Sequence, residues 1–298
     1  TEEINEFISF LLDEEIAFIS EEDVSDKFPP LSTEFKAPNP VETLSYEIEI
    51  DHPYFPIDII NDMMVNYVVI HTESPFDILS HLRQYENTRI KGIQLVMNYD
   101  FAQTLQLKKL IDEILRIHCI VIRNAKKTKQ ETYKATLIQY IGDEEPELNH
   151  CFRINQRLYF ESLHYHTYYH RRVHLTKDKD IKNAFETEKR FGNLASESLD
   201  KIIKTKDFQQ LGKVKKSHMD ICRDCEFAPV CVDKRTLKRR GDGIWFSPQE
   251  CTYNPYICKE TGEKGYYNLE DCGIHSTNSG FKIEVDLFIE MKARAWGE

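Results

Sequence analysis

The chain has 298 residues, a formal net charge of −11 and 41% hydrophobic residues, a composition typical of one large or two modest globular domains. No run approaches the roughly 18 apolar residues of a membrane span, and the N-terminus lacks the basic-then-apolar pattern of a signal peptide. We therefore expect a cytoplasmic protein without membrane contact, whose eight cysteines are free thiols or metal ligands rather than disulfides.

Negative charge is concentrated at the front of the chain, where the first 50 residues hold 14 Asp and Glu and only two basic residues, Lys27 and Lys36. Because phosphate binding needs a basic face, this balance argues against nucleic acid as a partner. The basic run "DKRTLKRR", from Asp233 to Arg240, could contact an acidic peptide or phosphates. Such a run is more typical of a solvated face, which is our prediction for it.

The opening residues predict an amphipathic helix, with apolar side chains at helical spacing from Ile4 to Ile16, and then a short strand around Ala17–Ile19. Such a piece cannot bury its apolar stripe alone, so we interpret residues 1–27 as the remnant of an upstream domain. Residues 28–43 contain four prolines and predict a linker.

From residue 44 onward, predicted strands alternate with predicted helices. Strands begin near residues 44, 67, 92 and 119, and a helical pattern follows each of the first three. This alternation indicates βαβ units and a parallel sheet. With further strands predicted at "ATLIQYIG" and "RLYFESLHY", residues 44–165 predict an α/β fold built as an open or partial (β/α) barrel. A doubly wound sheet is the alternative, although no GxGxxG or GxxxxGK motif follows a strand.

Residues 166–298 have a different composition. "RRVHLTKDKDIKNAF" predicts a hairpin around Lys177–Lys179, and the rest to about residue 275 is rich in Cys, Asp, Gly, Lys and Tyr with little apolar periodicity. A region so poor in core residues usually needs a disulfide or a structural metal to be stable. We therefore predict a small, cysteine-rich metal-binding domain with a C-terminal tail.

The cysteine spacing predicts what stabilises this domain. Cys222, Cys225 and Cys231 form a CxxCx5C run, and Cys251 follows 20 residues later. A CxxC step lets two sulfurs enter one site from a tight turn, and thiolates suit zinc or an iron–sulfur cluster. The spacing predicts a metal site but does not choose between the two.

These motifs carry a family resemblance. "CRDCEFAPVCVD" and "CTYNPY", with "RRVHLTKDKDIKN" and "FGNL" upstream, resemble the SPASM protein of grasp-with-spasm peptide systems, over residues 4–258. The resemblance implies a radical SAM-like barrel followed by a SPASM domain, with an N-terminal piece left from a peptide-recognition winged helix. It also implies two partners: a ribosomally made precursor peptide and an ATP-grasp ligase that crosslinks it. The oligomeric state is left open.

The chain departs from that family at the catalytic motif. Radical SAM chemistry needs CxxxCxxC after the first barrel strand, but here "DHPYFPID" follows "LSYEIEI", and no cysteine precedes Cys119. We therefore expect no bound S-adenosylmethionine, no cleavage of it, and no catalytic residue. Whether the chain is an enzyme of another kind is left open.

The resemblance also implies ligand sets for two auxiliary clusters. The first maps onto Cys222, Cys225, Cys231 and Cys251, and it is intact. The second retains only Cys151, because Tyr168, Ala184 and Lys234 stand at its other positions. We expect one [4Fe–4S] cluster, with Zn²⁺ as the fallback.

The predicted function is an accessory protein of peptide maturation that binds the precursor peptide, the ligase or both. Two alternatives stay open: an enzyme that uses the remaining cluster for electron transfer or substrate ligation, and a zinc-stapled structural domain.

Other potential ligands are interpreted as structural. Four histidines, His164, His166, His170 and His174, lie within eleven residues, and the first two could bind a metal from one strand face. A half-buried strand and turn is the favoured interpretation. Cys258 and Cys272 are predicted to be spare thiols, and Cys119 a core residue.

Overall fold

A computed structural model describes residues 2–23, 27, 32–48, 55–72, 77–142 and 150–297. The chain divides into two compact units, residues 1–34 and residues 35–298. Within the described ranges, no helix combines the length and apolar character needed to cross a membrane.

The first unit contains helix α1 (Glu2–Asp13), as its spacing predicts. The helix ends because Glu15 adopts a left-handed conformation, with φ of 56°. The next two amides, of Ile16 and Ala17, then both donate to the carbonyl of Leu11, which closes the last turn. Residues 17–20 are irregular, so the strand predicted at Ala17–Ile19 is wrong.

The second unit contains all the other elements. Its helices are α2 (Ile57–Asp62), α3 (Ile78–Arg83), α4 (Tyr99–Thr104), α5 (Leu107–Glu113), α6 (Gln156–Ser162), α7 (Leu199–Ile203), α8 (Lys206–Gln209) and α9 (Val285–Trp296). Its longer strands are β1 (Thr43–Glu47), β2 (Tyr67–Thr72), β3 (Gly92–Asn98), β4 (Ile117–Ala125), β5 (Lys129–Tyr133) and β6 (Thr136–Gly142). Shorter strands follow: β7 (His150–Phe152), β8 (Arg172–Leu175), β9 (Asp180–Lys182), β10 (Gly192–Asn193), β11 (Cys231–Asp233), β12 (Lys238–Arg239), β13 (Trp245–Phe246), β14 (Tyr253–Asn254), β15 (Lys259–Glu260), β16 (Ile274–Thr277) and β17 (Gly280–Ile283).

A nine-stranded sheet organises this unit, in the order β10-β9-β8-β1-β2-β3-β4-β6-β5. The six central strands, β8 to β6 in that order, are all parallel, whereas β9, β10 and β5 pair antiparallel at the two ends. The predicted α/β class with a parallel sheet is confirmed. A barrel is not shown, because the described strands leave the sheet with an edge at β10 and another at β5.

One face of the sheet forms the main core with the helices. Alternate strand residues such as Leu44, Ile70 and Leu95 are fully buried and pack in one cluster with Ile60 of α2 and Leu110 of α5. Period-two alternation directs these residues to the same face, and the amphipathic helices cover it.

The opposite face carries a polar network at β1, β2 and β8. Ser45 Oγ lies 2.9 Å from His71 Nε2 and 3.0 Å from His174 Nδ1, and His174 Nε2 lies 3.2 Å from Glu47 Oε1. Ser45 is 1% exposed. The network therefore links three strands through one buried hydroxyl.

The segment "RLYFESLHY" is the helix α6, and the predicted strand there is wrong. Its aromatic residues favour a strand by propensity. Asn155 decides the outcome, because its side chain accepts a 2.8 Å hydrogen bond from the Leu158 amide and caps a helix start.

The hairpin predicted around Lys177–Lys179 is confirmed, since β8 and β9 pair antiparallel on either side of it. The turn uses Lys179 in a left-handed conformation with φ of 65°. Near the C-terminus, Ile257, Leu269 and Cys272 form a small separate core with Met291 and Ala295 of α9.

A buried hydroxyl–imidazole group joins β1 to α3. Tyr46 Oη lies 2.6 Å from His81 Nε2 and also contacts Tyr85 Oη. Burial lowers the pKa of His81 to about 4, so the imidazole is neutral in the folded protein at neutral pH.

We predict that acid destabilises the fold through His81. An unfolded imidazole titrates near pH 6.5. The unfolded state therefore takes up more protons as the pH falls from about 6.5 to 4, and stability falls over that window. Urea denaturation across this range should show a smaller pH slope for His81→Leu than for the unmutated protein. The control His218→Leu replaces an exposed histidine and should keep the slope. An unchanged slope in His81→Leu would contradict the assignment.

Candidate metal centre

The cysteine run folds as consecutive tight turns. Cys222 opens a 3-10 turn, and the Cys225 amide donates to the Cys222 carbonyl at 3.3 Å. The turn follows Ile221, whose φ of 66° is unusual for a β-branched residue. Further turns lead to Cys231 at the start of β11, which pairs with β7 at Phe152.

The structure brings the four predicted ligands together, since Cys222, Cys225, Cys231 and Cys251 all line one cavity. The cavity between them is small, about 20 Å³, and is partly open to solvent. Its remaining wall is mostly apolar, and the lining is completed by Phe152, Lys216, Ile221, Ala228, Arg235, Tyr253 and Pro255.

The thiols in this cavity are protonated when nothing is bound. Cys222 and Cys231 are buried, and Cys225 and Cys251 are half-buried. Burial raises the pKa of all four, to about 12 for Cys225 and Cys231. A metal must displace these protons to bind, so affinity will rise with pH.

Two buried cations lie against the cysteines. Lys216 is 4% exposed and donates to the Cys231 carbonyl at 2.7 Å. Arg235 is 5% exposed, and its Nη2 lies 3.4 Å from Cys222 Sγ. Burial opposes the charge of Lys216, but Cys231 and Asp233 outweigh it and raise its pKa. The site therefore contains positively charged groups that can stabilise thiolates.

Asp233 fixes Arg235 in place. The fully buried carboxylate accepts from Arg235 Nε at 3.0 Å and from Nη2 at 2.7 Å. Although burial opposes ionisation, the guanidinium holds the pKa of Asp233 well below its usual range. This bidentate pair orients the guanidinium towards the sulfur of Cys222.

The four cysteines line one cavity, but their side chains are not arranged around one point. Among the described residues, no group of three or more His, Cys, Asp or Glu side chains could hold one metal ion. Four thiolate donors beside buried cations suit either a zinc ion or an iron–sulfur cluster.

Comparison with known proteins agrees with this chemistry over part of the chain. Residues 168–226 match the SPASM family, described as an iron–sulfur cluster-binding domain. The chain thus contains a SPASM iron–sulfur cluster-binding domain. The match includes Cys222 and Cys225 and ends before Cys231 and Cys251. No curated protein and no solved structure matched the chain.

The positions predicted to have lost a second cluster are occupied by packed residues. Tyr168 donates to Glu186 at 2.7 Å, and Ala184 is fully buried. Cys151 is exposed on β7. The loss of the second cluster stays a prediction.

The four histidines lie in different surroundings. His164 and His166 lie in the turns after α6 rather than on a strand. His170 Nδ1 lies 2.7 Å from Glu161 Oε1, and His174 belongs to the polar network of the sheet.

The spare thiols lie apart from the cavity. Cys258 is exposed, and Cys272 belongs to the small C-terminal core. Cys119 is half-buried and packs on the valine cluster of β2 to β4. The loop "DHPYFPID" lies largely outside the described residues.

The sequence prediction missed the charged residues of the centre. The run from Asp233 to Arg240 was predicted to be a solvated face, which is wrong for Asp233, Arg235 and Arg240, since all three are buried. A signal was present. Strand alternation places Asp233 on the same side of β11 as Cys231, next to the predicted ligands.

We predict that Asp233→Asn lowers the free energy of unfolding by about 3–5 kcal/mol, because it leaves the charge of Arg235 buried and unpaired. Urea denaturation of the metal-free protein measures this loss. The control Asp200→Asn removes a surface partner of Lys204 and should leave stability nearly unchanged. Equal, small effects of both substitutions would refute the role given to Asp233.

Proposed function

We propose that this chain is an accessory protein of peptide maturation that binds one [4Fe–4S] cluster through Cys222, Cys225, Cys231 and Cys251. The observation that carries the proposal is the shared cavity of these four cysteines beside two buried cations, in a chain that contains a SPASM domain.

Charge balance supports a thiolate-bound group. Four thiolates around a cluster or a zinc ion leave a net negative charge, which is costly to bury without compensation. Lys216 supplies a compensating charge within the cavity wall, whereas the charge of Arg235 is already balanced by Asp233. This charge balance suits a zinc ion and a cluster equally, so the choice of an iron cluster rests on the SPASM match.

The chain's own residues have definable roles at this centre. The four cysteines would hold the group, and Phe152, Tyr253 and Pro255 would form part of the wall around it. The Arg235–Cys222 contact orients a donor towards a ligand sulfur, an arrangement that tunes such centres. When bound, the cluster supplies a crosslink between chain segments and a redox couple.

An accessory role is favoured over radical chemistry by the sequence itself. No CxxxCxxC occurs anywhere in it, so three thiolates that leave one iron open are not provided. A SPASM domain suggests association with radical SAM chemistry. The proposed partners are the precursor peptide and the ATP-grasp ligase that the motif resemblance implies.

The metal assignment is tested by anaerobic purification, metal analysis and a visible spectrum. We expect a brown protein with about four irons per chain. Cys231→Ser should lose most of the iron and colour. Cys258→Ser, which changes an exposed thiol outside the cavity, should retain both. A colourless protein with one zinc per chain would replace the cluster with the zinc-stapled alternative.

The partner assignment needs a separate measurement. Isothermal titration of the iron-loaded protein should show binding to a precursor peptide or an ATP-grasp ligase encoded beside it. Absence of heat with both would refute the accessory role while leaving the metal assignment intact.

A further inference from the structure

A second cavity lies away from the cysteines, at the end of the sheet where β1 and β8 begin. It is larger, about 450 Å³, and lies within the second unit. The chain segment 35–41 forms one side of it, α7 and α8 another, and the residues that precede β8 a third. Its volume is in the range of pockets that hold small molecules or a few peptide residues.

The wall of this cavity is basic. Five cationic residues line the cavity, and none of its described lining residues is acidic. The five are Lys36, Arg171, Arg172, Lys204 and Lys213. Three nearby carboxylates lie outside the lining: Arg171 pairs with Glu42 and Glu161, and Lys204 with Asp200. Arg172 and Lys213 form no ion pair with a described residue, so positive charge remains in excess and selects an anionic ligand.

Aromatic rings form part of the same wall. Tyr165 and His170 stack with their centroids 3.7 Å apart, and Phe35 meets both rings edge-on. The Arg171 guanidinium lies 5.2 Å from the centre of the Phe35 ring. A rigid aromatic surface beside cations offers contact area to an organic anion rather than to a bare ion.

A second basic cavity adjoins the first, because Lys213 lines both. It has about 330 Å³ of volume and is lined by Lys206, His218, Arg239 and Trp245, among others. Two cavities that share a lysine suit an extended ligand better than a compact one.

We propose that these adjoining cavities, the basic pair, bind an acidic peptide segment. The excess of cations selects its carboxylates, and the aromatic wall contacts its side chains. The inference rests on the proposed role in peptide maturation and deepens it by naming where a peptide binds and its chemistry. None of the residues involved is a proposed cluster ligand.

The test uses the purified, iron-loaded protein and a fluorescein-labelled tetraglutamate peptide, with fluorescence anisotropy as the readout. We expect binding that weakens at high salt, and little binding of a labelled tetraglutamine peptide. The double variant Lys204→Ala/Lys213→Ala changes two exposed side chains and should bind about tenfold more weakly. The control Lys201→Ala removes a lysine of α7 outside the lining and should bind normally.

A steric variant gives an independent readout. Ala37→Trp fills the larger cavity of the basic pair without removing charge, and it should also weaken peptide binding. Equal binding of the tetraglutamine peptide, or full binding by both variants, would overturn the proposal. Displacement by free glutarate as effective as by unlabelled peptide would overturn the peptide assignment in favour of a small carboxylate.

The same samples separate this inference from the proposed function. Iron content and the visible spectrum report on the cysteine centre, and anisotropy reports on the basic pair. Loss of peptide binding in a brown, iron-loaded protein counts against the inference alone. Peptide binding by a protein without iron counts against the cluster alone.

Discussion

The pairing of β1 with β8 is the constraint on which the second unit depends. It joins residues 43–46 to residues 172–175 in parallel register, so a strand within the SPASM match completes a sheet begun far earlier in the chain. The polar network of Ser45, His174 and Glu47 reinforces the join on one face. At the start of the same strands, Arg171 bonds to Glu42. The cysteine-bearing part of the chain is thus anchored on the α/β sheet through β8.

Buried charge distinguishes the two candidate sites. At the cysteine cavity, Asp233 neutralises Arg235 within a closed pair, so the cations there serve an internal ligand. In the basic pair, the exposed Lys213 remains available to a ligand from solution, and Lys204 is held only by the surface carboxylate of Asp200. The first arrangement has a low dielectric and favours strong, fixed interactions. The second favours reversible binding that responds to salt.

Sequence patterns predicted the elements that depend on local periodicity, and they failed where a single capping side chain or a distant contact decides the structure. Alternation located the starts of β1 to β4 to within two residues, and the hairpin was predicted around Lys177–Lys179. Propensity alone gave a strand for α6, where one capping side chain, Asn155, favours a helix. The cysteine spacing predicted four residues that do line one cavity. It did not predict Lys216, since only the folded chain shows that this lysine is buried against β11.

The distance along the chain between β1 and β8 has a consequence for synthesis. Until residues 172–175 leave the ribosome, β1 is paired only with β2 and forms an open sheet edge. At translation rates of about 5–20 residues per second, that edge is exposed for on the order of ten seconds. Exposed apolar edges pair readily with other chains. During that interval the nascent chain is a candidate for chaperone binding, and slower translation through this stretch would lengthen its exposure.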